Sequence, residues 1–158
     1  MLQEALMYYQ ENNSIPDEFI HAMENNRECR IELIEYFQKS KERNFAITLL
    51  DKIVTSRAQG KEVTGDTIML ACYLLGLHNC VEDCMRIWQA KKVDFDAFCY
   101  IDIQLVPFAG WKETVHYLTS INSKESQEAL DYLNQCNRSG DFDNLTDYYD
   151  KNTLPWFV

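Results

Sequence analysis

The sequence predicts an all-α fold, a multi-helix array of antiparallel helix hairpins in the manner of a short α-solenoid. Apolar residues recur at three- and four-residue spacing along almost the whole chain, the period of one face of a helix. The 158 residues include only five Gly and three Pro, too little turn punctuation for a sandwich or barrel of many short strands. Hydrophobic residues make up 46% and aromatics 13%. That is ample for one core in a chain of this length, which buries about two-thirds of its unfolded surface. A single domain over 1–158 is therefore expected.

The first helix is expected at 2–12, where Leu2, Leu6 and Tyr9 form a stripe. Asn12, Asn13 and Ser14 break it, and Pro16 suits the first turn of a second helix, with Asp17 and Glu18 favourable at its positive end. Asn25 and Asn26 mark where that helix stops. A third segment, near 27–39, places Cys29, Leu33, Tyr36 and Phe37 on one face. A fourth, near 42–58, runs Phe45, Leu49, Ile53 at i+4 spacing.

The polar loop QGKEVTGD (59–66) is the best candidate for a sub-boundary, although it is short for a domain linker. DTIMLACYLLGLHN (66–79) begins with Asp66 as a plausible cap and is apolar nearly all round, the mark of a helix buried between neighbours. VEDCMRIWQAKK (81–92) is amphipathic and ends in Lys91 and Lys92, which suit a helix C-terminus. The segment 93–108 is ambiguous. Cys99, Ile101, Ile103 and Leu105 alternate as in a strand, while Phe95, Phe98, Cys99, Asp102, Leu105 and Val106 fit a helix. Its length favours a helix, ended near Pro107.

Segments 111–120, 123–137 and a short 141–151 complete eight to ten helices, and LPWFV closes the sequence. That apolar tail is expected to tuck back over the last helix; the alternative is insertion of Trp156 and Phe157 into a partner. A faint internal echo pairs Ala71-Cys72-Tyr73-Leu74 with Phe98-Cys99-Tyr100-Ile101, each followed by an amphipathic helix. The offset is near that of a helix-pair repeat, and stacked pairs would offer a partner an extended surface.

Charge narrows the function. There are 25 acidic residues against 15 Lys and Arg, a net charge of −10. Direct nucleic-acid binding needs a basic footprint, and anionic membrane surfaces attract basic segments. Neither fits. An acidic chain suits a basic partner. Six cysteines raise the question of disulfides, but the opening MLQEALMYYQENN lacks the basic start and apolar run of a secretion signal. Reduced thiols in a cytoplasmic protein are expected, with no apolar stretch of about 20 residues for a membrane span.

No catalytic constellation stands out. His78, Cys80 and Cys84 could supply part of a zinc site, yet no second cysteine pair with the required spacing follows. There is no GxSxG elbow, GxxxxGK[ST] or GxGxxG. No enzyme activity, cofactor or metal is expected. The acidic clusters are more informative. Asp94, Asp96 and Asp102 occur in a stretch without a base, as do Asp141, Asp143, Asp147 and Asp150, interleaved with Phe142, Leu145, Tyr148 and Tyr149. Carboxylates imitate phosphates and aromatics anchor with little entropy loss, a complement to a basic groove. The plainer account is that the carboxylates are solvated caps while the aromatics pack inward.

With DTIMLACYLLGLHN, DFDAFCYIDIQLVPFAG, GDFD (140–143) and LPWFV in view, the chain resembles small bacterial immunity proteins encoded beside secreted polymorphic toxins, including those of contact-dependent growth inhibition. The resemblance spans roughly residues 66–158. It implies a cytoplasmic protein that binds a cognate toxin domain, often a basic nuclease, and blocks its active site. Such families share no catalytic residues, so no role transfers position by position. Charge and resemblance together single out Asp94, Asp96, Asp102, Asp141, Asp143 and Asp147 as carboxylates facing the toxin, with Tyr148 and Tyr149 as anchors. The alternative is a helical-repeat adaptor for protein–protein interaction, without enzymatic activity.

Overall fold

The computed structural model describes residues 1–158 and is all-helical. Its helices are α1 (Leu2–Asn12), α2 (Asp17–Asn25), α3 (Arg27–Phe37), α4 (Arg43–Ala58), α5 (Gly65–Gly76), α6 (Cys84–Lys91), α7 (Phe95–Tyr100), α8 (Trp111–Ile121), α9 (Lys124–Arg138) and α10 (Leu145–Tyr148). Single 3-10 turns occupy Val81–Asp83 and Ile103–Leu105. Local chemistry sets most boundaries. Asn13 and Asn122 take left-handed conformations, φ 48° and 51°, and end α1 and α8, as short polar side chains tolerate. The Asn26 side chain accepts from the amides of Glu28 (2.9 Å) and Cys29 (3.2 Å), starting α3 directly after α2. Ser123 and Ser126 cap α9 reciprocally.

One cluster of 43 buried apolar residues runs from Leu2 to Phe157. At its centre lies α5, buried at every residue from Thr67 to Gly76, and it packs against α3, α4 and α6. Gly76 permits close approach of the Phe108 ring, which a Cβ there would meet at 2.4 Å. On α4, Phe45, Leu49 and Ile53 are fully buried, so the i+4 stripe is the core face. Helices α4 and α5 make the most extensive interhelical contact, across the loop expected as a sub-boundary.

Two local expectations are corrected. The cap of α5 is Thr64, whose hydroxyl accepts from the Thr67 amide at 3.3 Å, and not Asp66. The segment 93–108 is not one helix. It forms α7, breaks at Ile101 and Asp102, and resumes as the 3-10 turn. The cause is tertiary. Lys91, only 3% exposed, donates from Nζ to the carbonyls of Phe98 (2.6 Å) and Ile101 (2.5 Å), taking two acceptors that a continuing helix would use itself. The echoed tetrapeptides also differ in setting. Ala71–Leu74 is wholly buried, whereas Cys99 and Tyr100 are exposed. No helix is long and apolar enough to cross a membrane.

Candidate partner-binding face

The eight residues singled out in the sequence fall into two groups. Asp94 is engaged within the chain. It accepts from the Ala97 amide (2.7 Å) as the cap of α7 and from Arg57 Nε (2.5 Å), and the Arg57 guanidinium holds its carboxyl below the usual carboxylate range. Asp102 is also engaged. Its Oδ2 accepts from the Tyr148 hydroxyl (2.8 Å) and the Trp156 indole (2.6 Å). The expected anchors Tyr148 and Tyr149 instead serve the interior. Tyr149 stacks on Phe108 with ring centroids 4.4 Å apart and donates to the Gln104 carbonyl. Burial pushes both phenols above their ordinary pKa. By contrast, Asp96, Asp141, Asp143 and Asp147 are exposed.

The fold joins the two acidic clusters. Besides the Tyr148–Asp102 bond, the Gln104 side-chain amide donates to the Asp141 carbonyl at 2.9 Å. A shallow groove of about 410 Å³ includes Asp102, Asp141, Cys99 and Tyr100 on its walls. Cys99 and Tyr100 are shared with a second groove of about 560 Å³ between α7 and the start of α5.

Between these grooves runs the outer side of α7. At 3.6 residues per turn, Phe95, Cys99, Asp96 and Tyr100 occupy one contiguous arc, and all four are exposed, Phe95 at 80%. Ala97 is buried and Phe98 packs on Trp88 and Tyr132 from the opposite arc. Tyr100 is fixed despite its exposure. Its hydroxyl donates to Asp66 (2.8 Å), and its ring meets Trp156 edge-on at 6.0 Å and lies over Gly65. A Cβ on Gly65 would stand 2.2 Å from the Tyr100 ring.

The tail supplies the other aromatic. Trp156 is 60% exposed while Phe157 is 2% exposed and packs edge-on against Tyr73 of α5. Trp156 and Phe157 are the central residues of a turn closed by the Val158 amide on the Pro155 carbonyl at 3.1 Å, and the turn presents one ring outward and the other inward. Arg30 of α3 holds this arrangement, donating to the carbonyls of Met23, Glu24 and Phe157 at 2.6, 3.0 and 3.1 Å. The tail therefore docks against α3, α5 and α7.

Phe95 and Tyr100 were not among the residues singled out, and Trp156 entered only as the alternative placement of the tail. The available signal was the adjacent Trp–Phe pair of the tail; the shortness of α7 was not legible. Of the His78, Cys80 and Cys84 group, Cys84 is buried and the other two are half-buried. Cys84 is 3% exposed with its thiol pushed up to about 12 by burial, and His78 meets Phe37 edge-on at 5.9 Å. All six cysteines are free thiols.

Comparison with family models, with curated proteins and with solved structures finds no match.

Proposed function

We propose that this chain is an immunity-type binding protein that neutralises a basic toxin domain, of nuclease type, by covering its active site with the α7 face. The observation that carries the reading is the exposure of Phe95, Tyr100 and Trp156 among the carboxylates of Asp96 and Asp141. Large aromatics left in water on an otherwise well-buried core are typical of binding hot spots rather than of stability. A net charge of −10 supplies long-range attraction to a cationic partner and opposes pairing with a second copy. The toxin class itself comes from the sequence resemblance.

The test is titration of the purified protein against the C-terminal domain encoded by the neighbouring toxin reading frame, reading both affinity and residual nuclease activity. Tight binding with loss of activity is expected. Phe95→Ala and Trp156→Ala should each weaken binding at least about tenfold, with association slowed by added salt. Unchanged affinity in both variants, or no inhibition at saturation, would refute the proposal. In that event the adaptor reading takes its place.

A further inference from the structure

We infer that the groove between α7 and the start of α5 receives an arginine side chain of the basic partner, stacked on the Tyr100 ring and facing Asp96. This deepens the proposed function and rests on it for the partner's basic character. The groove measures about 560 Å³, large enough for a side chain with its flanking backbone, and Ala97, Ile68 and Gly65 contribute apolar floor.

Its charge selects a cation. Arg57 is the one cation on the wall, and it is already engaged by Asp94 and by the Val63 carbonyl at 2.6 Å. Asp96 lies 4.0 Å from Arg57 Nη2, and its carboxylate side chain is 86% exposed, free to meet a second guanidinium. The start of α5 also opens here and by itself would favour an anion. Asp66, in its first turn, already meets that positive end.

Geometry selects arginine over lysine. The Tyr100 ring is held over Gly65, tied at its hydroxyl to Asp66 and backed by Trp156. Such a flat, immobilised ring costs little entropy on stacking. A planar guanidinium stacks on it while keeping its edge donors for a carboxylate, which a compact ammonium cannot do.

The experiment uses the full chain, labelled with 15N, and the peptides acetyl-Gly-Arg-Gly-amide and acetyl-Gly-citrulline-Gly-amide, the second a neutral isostere. The arginine peptide should shift the amides of Gly65, Ala97 and Cys99 and saturate with a Kd of about 1 mM. The citrulline peptide should bind at least about fivefold more weakly, and Asp96→Asn, a change at a largely exposed side chain, should reduce arginine-peptide binding about threefold. Equal binding of the two peptides, shifts confined to other surfaces, or an unaffected Asp96→Asn variant would overturn the assignment. The two readings fail separately. Arginine binding here without toxin inhibition removes the proposed function and keeps the groove. Toxin inhibition without arginine binding does the reverse.

Discussion

Replacing Asp102 by Ala tests whether the candidate face is built by its carboxylates or merely decorated with them. One oxygen of Asp102 joins three parts of the chain: the turn after α7, α10 through Tyr148, and the tail through Trp156. A hydrogen bond to a charged group contributes about 1.5–3 kcal/mol. The Tyr148 bond is partly buried and retains most of that value. The Trp156 bond is exposed, and water replaces most of it. The sum is a loss of about 2–3 kcal/mol. At about 2–4 °C per kcal/mol for a chain of this size, Tm should drop by about 5–10 °C. Urea unfolding of the wild type, Asp102→Ala, Tyr148→Phe and the double variant isolates the pair, with an expected coupling of about 1–2 kcal/mol. Asp102→Ala within about 0.5 kcal/mol of wild type, or a coupling near zero, would refute the reasoning and show that water serves Asp102 as well as its partners do.

Lys91→Met leaves the buried carbonyls of Phe98 and Ile101 without their donor, and should destabilise by about 2–4 kcal/mol in denaturant; a neutral result would show that the stem packing alone holds the break after α7. His78 titrates below its ordinary value because burial disfavours its charged form, and its Nε2 is buried without a partner. The unfolded chain therefore takes up a proton near pH 6.5 that the folded chain declines. This contribution to stability is complete above that pH and is lost as pH falls below it. The denaturation midpoint should fall between about pH 7.5 and about 5.5, and His78→Leu should flatten the fall. An equally steep fall in His78→Leu would assign the dependence to other groups.

The helices were largely legible because their signal is local. The stripe Phe45, Leu49, Ile53 and the continuous apolar run of α5 state their burial outright, and Asn13 and Asn26 mark ends by their own side-chain chemistry. The break at Ile101 was not legible, since it depends on Lys91 reaching forward from α6. The candidate face divides the same way. Its acidity is visible as composition, but whether a given carboxylate is free depends on partners far along the chain. Asp94 meets Arg57 across 37 positions and Asp102 meets Trp156 across 54, separations that no periodicity encodes. Tyr148 and Tyr149 carry the same composition signal as Tyr100, and only their packing tells them apart.

The contact of Arg30 with the Phe157 carbonyl spans 127 positions, which gives it a place in time as well as in space. During synthesis α5 emerges long before Phe157, so its Tyr73 edge awaits a cover that arrives late. Closing so long a loop adds little to the entropy already lost, because the cost grows only logarithmically with length. A contact made after the rest has assembled is weakly represented in the folding transition state. It hardly affects how fast the chain folds, and it lengthens the time the folded chain stays shut. The tail is thus expected to act as a kinetic fastener, Phe157→Ala speeding unfolding while leaving the folding rate nearly unchanged.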